Sequence, residues 1–268
     1  MPAIITLLTD FGLKDGYPGI MKGVIWTIAP EAQIADLTHS ISPQNILEGA
    51  LALARAAPYF PPGTVHIGVV DPGVGTQRRP IAAQLGEAFF VGPDNGLFTL
   101  LLEAAEAKGA PVKVVHLDRP RFWLPDVSSV FHGRDIFAPV GAWLTHKTRL
   151  EELGTPVTGA ARLQIPRPQS ITDGWRGAVL HVDHFGNLST NIPQALLLPP
   201  ASDLYIRLGG TEIRGLKRTF GEGKSGELVA LVDSAGQLSI CVVNGSAAGR
   251  LDAKVGDVVE VRTQSSEK

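Results

Sequence analysis

The stretch Gly63-Thr64-Val65-His66-Ile67-Gly68-Val69-Val70-Asp71-Pro72-Gly73-Val74-Gly75-Thr76-Gln77-Arg78-Arg79 sets the reading of this chain. Its first eight residues are apolar and rich in β-branched side chains, the texture of a buried strand. The run stops at an aspartate followed by Pro-Gly-Val-Gly, which can only turn. Two arginines follow within eight residues of that acid. An anion at the tip of a buried strand, a nearby cation and a stiff Gly/Pro loop have the make-up of an active-site rim. Taken alone, the same residues equally describe a tight turn with a solvated arginine pair.

The punctuation recurs on both sides. Upstream, the apolar run Ile4-Ile5-Thr6-Leu7-Leu8 ends at Thr9-Asp10-Phe11-Gly12, Tyr17 to Ile28 has helical spacing, Ile34 to Thr38 is a strand, and Asn45 to Ala57 is a helix. Downstream, Ile81 to Ala83 and Ala88 to Val91 are strands, the second ending at Gly92-Pro93-Asp94-Asn95-Gly96. Leu97 to Ala107 is helical and Val112 to Leu117 is again strand. Phe131-His132-Gly133-Arg134-Asp135 then opens an apolar helix from Ile136 to Leu144. This alternation predicts a layered α/β domain over residues 1–163 with a largely parallel sheet. In such sheets ligands bind at loops leaving the strands' C-terminal ends, where Asp10, Asp71 and Asn95 all fall. Residues 164–172 hold two prolines within three positions and no periodicity, and read as a stiff linker. Residues 173–268 change texture. Gly177 to Asp183, Asp203 to Leu208, Glu227 to Val232, Leu238 to Val243 and Asp257 to Arg262 predict a smaller all-β domain, barrel or sandwich.

Bulk properties narrow the function classes. With 44% hydrophobic and 19% charged residues in 268 the chain is globular, and a formal net charge of −2 gives no case for nucleic acid or an anionic membrane. The single cysteine, Cys241, lies in an apolar run and reads as a buried strand thiol; it permits no internal disulfide, which fits the cytoplasm. Met1-Pro2-Ala3 has no basic start of a signal peptide, and no apolar run reaches the ~18 residues of a membrane span. Gly73-Val74-Gly75 fails as a dinucleotide fingerprint because position 78 is Arg. Gly223-Lys224-Ser225 fails as a phosphate loop because position 218 is Arg. No His/Cys cluster has zinc spacing.

Four polar loops remain: Thr9 to Asp15, Asp71 to Arg79, Phe131 to Asp135, and His184-Phe185-Gly186-Asn187-Leu188-Ser189-Thr190-Asn191-Ile192. With His39-Ser40-Ile41-Ser42-Pro43, Gly-Pro-Asp-Asn-Gly and Asp233-Ser234-Ala235-Gly236 they make seven motifs in order, from Thr9 to near Gly256. Together they resemble the S-adenosylmethionine (SAM) hydroxide adenosyltransferases, or SAM hydrolases, relatives of the SAM-dependent fluorinase and chlorinase. The resemblance implies cleavage of SAM to adenosine and L-methionine. It places a catalytic Asp, Arg and His on Asp71, Arg78 and His132, with Arg79 the neighbouring alternative. It implies that Asp10 bridges the ribose hydroxyls, Asp15 meets the methionine ammonium, Phe185 and Asn187 hold adenine, and Ser234 meets the methionine carboxylate. It also implies a homotrimer with sites between subunits. Asp71 stands where the fluorinase has tyrosine, Gly133 where it has its halide-binding serine, and Ala235 where the halogenase has arginine. Since the chlorinase also has glycine at the second position, Asp71 is the stronger pointer to hydrolysis.

The chemistry is coherent in its own right. A sulfonium leaves without protonation, so attack at the ribose C5′ needs no metal or organic cofactor, only an oriented and partly deprotonated water. A carboxylate or a histidine in reach can take the proton, and which of Asp71 and His132 does so stays open at this level. Two other classes compete. A divalent-metal hydrolase, such as a phosphoesterase, could use Asp10, Asp71, Asp94 and His132 as ligands. A non-catalytic SAM- or adenosine-binding protein could use the same loops.

Overall fold

The computed structural model describes residues 3–197 and 201–263, in two compact units that part between Gln164 and Ile165. Met1-Pro2, where a leader was sought, and positions 198–200 and 264–268 of the expected β domain lie outside the described residues.

The first unit holds β1 (Ile4–Thr9), β2 (Gln33–Thr38), β3 (Val65–Val69), β4 (Pro80–Leu85), β5 (Ala88–Pro93), β6 (Val112–His116) and β7 (Thr155–Pro156), in the sheet order β2-β1-β3-β5-β4-β6-β7. The pairs from β2 to β5 are parallel, and those from β5 to β7 are antiparallel. The sheet is therefore mixed rather than largely parallel. The cause is local: Leu85 faces Ala88 across a two-residue turn with Gly86 at φ 62°, and so short a connection can only reverse the chain.

Helices cover both faces, which is why the strands read as continuous apolar runs. On one face α1 (Tyr17–Ile28) and α4 (Ala138–Thr145) bring Met21, Ile25 and Val140 against Ile5, Leu7 and Ile67. On the other, α2 (Ile46–Ala56) and α3 (Thr99–Ala107) bring Ala50, Leu53 and Leu102 against Leu8, Ile81 and Phe90. The period of two along β1 sends Ile5 and Leu7 one way and Leu8 the other. Asn45 caps α2 by accepting the Glu48 N–H at 3.0 Å. The helix predicted from Ile136 starts earlier, as a π-helical turn over Gly133–Phe137 that runs into α4.

The second unit holds β8 (Gln169–Ile171), β9 (Gly174–Val182), β10 (Leu188–Pro193), β11 (Tyr205–Leu208), β12 (Thr211–Arg214), β13 (Leu228–Val232), β14 (Gln237–Val242), β15 (Val258–Arg262) and the short α5 (Ala247–Leu251). The sheet runs β12-β11-β15-β9-β10-β14-β13, with β8 added on β9, and every strand pair is antiparallel. It curls around one core that includes Val179, Leu188, Ile206, Leu238, Ile240 and Val259. Its ends nearly meet: the Lys217 N–H, just past β12, donates to Ala230 O of β13 at 2.8 Å, giving an almost closed barrel.

Two expectations are corrected here. Gln169–Ile171, inside the expected linker 164–172, is a strand, because a two-residue turn with Asp173 at φ 63° folds it back onto Gly174. Leu188–Pro193, read as polar loop, is the strand β10 between β9 and β14. Its polar side chains are buried with partners: Thr190 Oγ1 donates to Leu238 O at 2.8 Å, and Asn191 Nδ2 to Pro166 O at 2.9 Å.

Candidate active site

Strands β1, β3 and β5 lie side by side and parallel, so the loops carrying Asp10, Asp71 and Asp94-Asn95 leave the same edge of the sheet. Asp71 follows β3 and meets Arg78 in a two-pronged pair. Arg78 Nε donates to Oδ1 at 2.9 Å, and a terminal guanidinium nitrogen donates to Oδ2. That same nitrogen donates to His132 Nδ1 at 2.8 Å. A guanidinium has no lone pair to offer, so Nδ1 is the acceptor and the neutral ring carries its proton on Nε2. Burial, and then the charge of Arg78, hold His132 below the usual histidine range, against weaker opposite pulls from Asp71 and Asp135. The side chains of Arg78 and Asp71 are only 9% and 5% exposed, and the guanidinium lies 5.3 Å from the centre of the Phe137 ring.

Local backbone chemistry builds this trio. Asp71-Pro72-Gly73-Val74 and Gly73-Val74-Gly75-Thr76 close turns by Val74 N to Asp71 O at 3.2 Å and Thr76 N to Gly73 O at 3.1 Å. Gly75 sits at φ 76°, and a Cβ there would lie 2.5 Å from Ser129 O. In the π-helical turn, Asp135 is fully buried and accepts from Ser128 N at 2.8 Å and Arg134 Nε at 2.6 Å, fixing the segment that carries His132.

Arg79 faces elsewhere. Its Nε donates to Asp94 Oδ2 at 2.8 Å, while Asp94 Oδ1 accepts from Ala161 N at 2.7 Å. Asn95 Nδ2 donates to Val70 O at 2.8 Å. The Gly-Pro-Asp-Asn-Gly motif thus braces the loop after β3. Among the described residues no group of three or more His, Cys, Asp or Glu side chains is placed to hold a metal ion; Asp71 and Asp94 each face an arginine instead.

Asp10 accepts from Gln44 N at 2.8 Å through Oδ2. Asp15 is exposed in the turn before α1. Phe11, Tyr17 and Phe131 form an edge-to-face triangle with centroids 5.3–5.9 Å apart, which joins the Asp10 loop to the residue before His132. A Cβ at Gly133 would lie 3.3 Å from Met21 Sδ and 3.4 Å from both phenylalanine rings, so a serine there would press on that triangle.

In the second unit two aspartates hold the other candidates. Asp183 Oδ1 accepts from Phe185 N and Asn187 N, both at 2.9 Å, and Oδ2 accepts from Asn187 Nδ2 at 2.8 Å. The turn so formed, with Gly186 at φ 81°, presents Phe185 72% exposed. Asp233 does the same for Ser234: its Oδ1 accepts from Ala235 N and Gln237 N, at 2.9 and 3.0 Å. Ser189 Oγ donates to Asp233 Oδ2 at 2.8 Å and ties the two turns together. Asp183, Asp233, Asp94 and Asn95 escaped the sequence reading as structural anchors. For the first two the signal was present, an aspartate three residues ahead of a glycine.

The family model of the SAM hydroxide adenosyltransferase N-terminal domain matches residues 5–154, and that of the C-terminal domain matches residues 177–260. A protein of Salinispora tropica named (R)-S-adenosyl-L-methionine hydrolase is 42% identical over 261 residues, 96% of this chain and 97% of that one. A fluorinase of an Actinoplanes species is 26% identical over 278 residues, 90% of this chain and 92% of that one. The crystal structure of an uncharacterised conserved protein from Thermotoga maritima superposes with a TM-score of 0.88 at 39% identity, covering 96% of this chain and 99% of that one.

Proposed function

The chain belongs to the SAM hydroxide adenosyltransferase family, and from that premise we propose that it is an enzyme that hydrolyses SAM to adenosine and L-methionine at the Asp71–Arg78–His132 site. The observation that carries the assignment of the site is the single guanidinium shared by Asp71 and His132. Arg78 occupies Nδ1, so the neutral His132 offers only an N–H, at Nε2. It orients the attacking oxygen as a donor. Asp71 keeps lone pairs beyond those that Arg78 uses, and takes the proton from water. The water attacks C5′ in line with the sulfur, and methionine leaves with the C–S electron pair. No cofactor enters this reaction.

The binding roles follow the family pattern. Asp10 takes the two ribose hydroxyls, Asp15 the ammonium of methionine, Phe185 and Asn187 adenine, and Ser234 the methionine carboxylate. These residues are split between the two units, which supports a homotrimer in which the units of neighbouring subunits complete each site. The exposed apolar side chains Leu13, Tyr17, Ile20 and Val130 around the Asp10 and His132 loops support the same reading. No helix among the described residues is long and apolar enough to cross a membrane, and a buried lone Cys241 suits the cytoplasm.

The test is incubation of the protein with SAM in ¹⁸O-labelled water. Labelled 5′ oxygen in adenosine, and no 5′-halo product at saturating chloride or fluoride, is the expected result. Unlabelled adenosine or a halogenated main product overturns the water mechanism, and unconsumed SAM leaves a binding protein.

A further inference from the structure

Behind Asp10 lies a row of side chains outside the site described so far, buried at Thr9 and His39 and reaching the surface at Asp36 and Lys22. Thr9 is 0% and His39 4% exposed. Thr9 Oγ1 accepts the Phe11 N–H at 3.2 Å, and Nδ1 of His39 lies 2.9 Å from the same oxygen. Nε2 of that ring lies 3.1 Å from Asp36 Oδ1, and Lys22 Nζ donates to Asp36 Oδ2 at 2.6 Å. The approach of Nε2 to Asp36 falls outside hydrogen-bond geometry, so the bond between Nδ1 and the Thr9 hydroxyl is what ties the ring to this turn. By composition the row resembles a nucleophile triad, but a fully buried Thr9 hydroxyl is closed to any substrate.

The same segment grips Asp10 from its other side. The Gly12 N–H donates to His39 O at 2.7 Å. The N–H of Gln44, five residues on and at φ 65°, holds Asp10 Oδ2. Asp10 therefore stands between two fixed neighbours, Thr9 and Phe11, with one oxygen pinned and its backbone unable to turn unless these bonds break.

We propose that His39 is a positioning residue for nucleoside binding: through Thr9 it holds the turn that aims the Asp10 carboxylate at the ribose hydroxyls. This rests on the ribose role proposed for Asp10. Losing a buried hydrogen bond of this kind corresponds to roughly a tenfold change in affinity. The energy is recovered equally in ground and transition states, because the ribose hydroxyls do not react.

The experiment measures adenosine affinity by calorimetry and steady-state kinetics for His39→Leu, Thr9→Val, Thr9→Ser, Asp10→Ala and the His39→Leu/Asp10→Ala double variant, with melting temperatures alongside. Thr9→Val keeps shape and removes the oxygen, so it stands in if His39→Leu fails to fold. Expected are roughly tenfold weaker adenosine binding and a matching rise in KM for His39→Leu and Thr9→Val, a smaller change in kcat, and near-normal values for Thr9→Ser. In the Asp10→Ala background, His39→Leu should weaken binding by less than about twofold, the sign of coupling through one group. Unchanged affinity in Asp10→Ala overturns the ribose assignment and this inference with it. Weakened binding in Asp10→Ala beside normal binding in Thr9→Val, full additivity in the double variant, or a loss confined to kcat overturns this inference alone.

Discussion

Asp71 and His132 meet through one guanidinium, so they should fail together. Asp71→Ala and His132→Ala are expected to lower the single-turnover rate by roughly 10²–10⁴ each, and the double variant by less than the product. A near-normal single-turnover rate in Asp71→Ala would refute the assignment. A second histidine makes a prediction about stability. His66 is fully buried in β3 and stacked on Phe90, with Nδ1 2.7 Å from Thr6 Oγ1 and Nε2 unpartnered. Burial pushes it down to about 4 from 6.5. Above pH 6.5 the ring is neutral in the folded and unfolded chain alike, and nothing is lost. As pH falls from 6.5 towards 4 the unfolded chain binds a proton that the folded one refuses. Stability drains away over that window, by about 3 kcal/mol. Urea unfolding at pH 7 and pH 4 should show a clearly smaller acid loss in His66→Gln than in the parent. Equal losses would assign the acid lability to other groups.

At the scale of elements, the loop after β3 is shaped by the close approach of Gly75 to Ser129. Gly75→Ala should destabilise the protein by about 1–3 kcal/mol and slow turnover, because any shift of the loop moves Arg78. Gly63→Ala is the control, since Gly63 has φ 82° and open space around it; calorimetry and rates should show backbone strain without the catalytic loss. Similar rates in the two variants would sever loop shape from catalysis. The helices were legible in the sequence because an amphipathic period survives in any context; α1 spans the predicted Tyr17–Ile28. Strand direction was not, since runs buried on both faces look alike whichever way they point, although the Leu85-to-Ala88 spacing held the clue. The strand β10 was hidden because Ser189, Thr190 and Asn191 are polar, and periodicity cannot see partners such as Asp233 44 positions away. At the site, it was the family resemblance that pointed to Asp71, Arg78 and His132. It could not separate Arg78 from Arg79, which sit on adjacent residues and reach different acids, nor find Thr9 and His39, which meet across 30 positions.

At the scale of the whole molecule, the candidate contacts for adenine and for the catalytic water belong to different units. Light scattering is expected to give three times the chain mass. If sites are completed between subunits as proposed, activity per chain should fall on dilution below the assembly's dissociation range. A monomer that stays fully active when dilute would show that each chain is complete by itself.

The buried Asp71–Arg78 pair also restricts how this site can evolve. Replacing Asp71 first by a neutral side chain leaves without its counter-charge a guanidinium that cannot give up its proton and is 9% exposed. Replacing Arg78 first strands a carboxylate, which can take a proton and turn neutral. The two orders of substitution cross terrain of different height. A lineage leaving hydrolysis has its passable route through the arginine, and engineers who exchange Asp71 alone begin on the steep side.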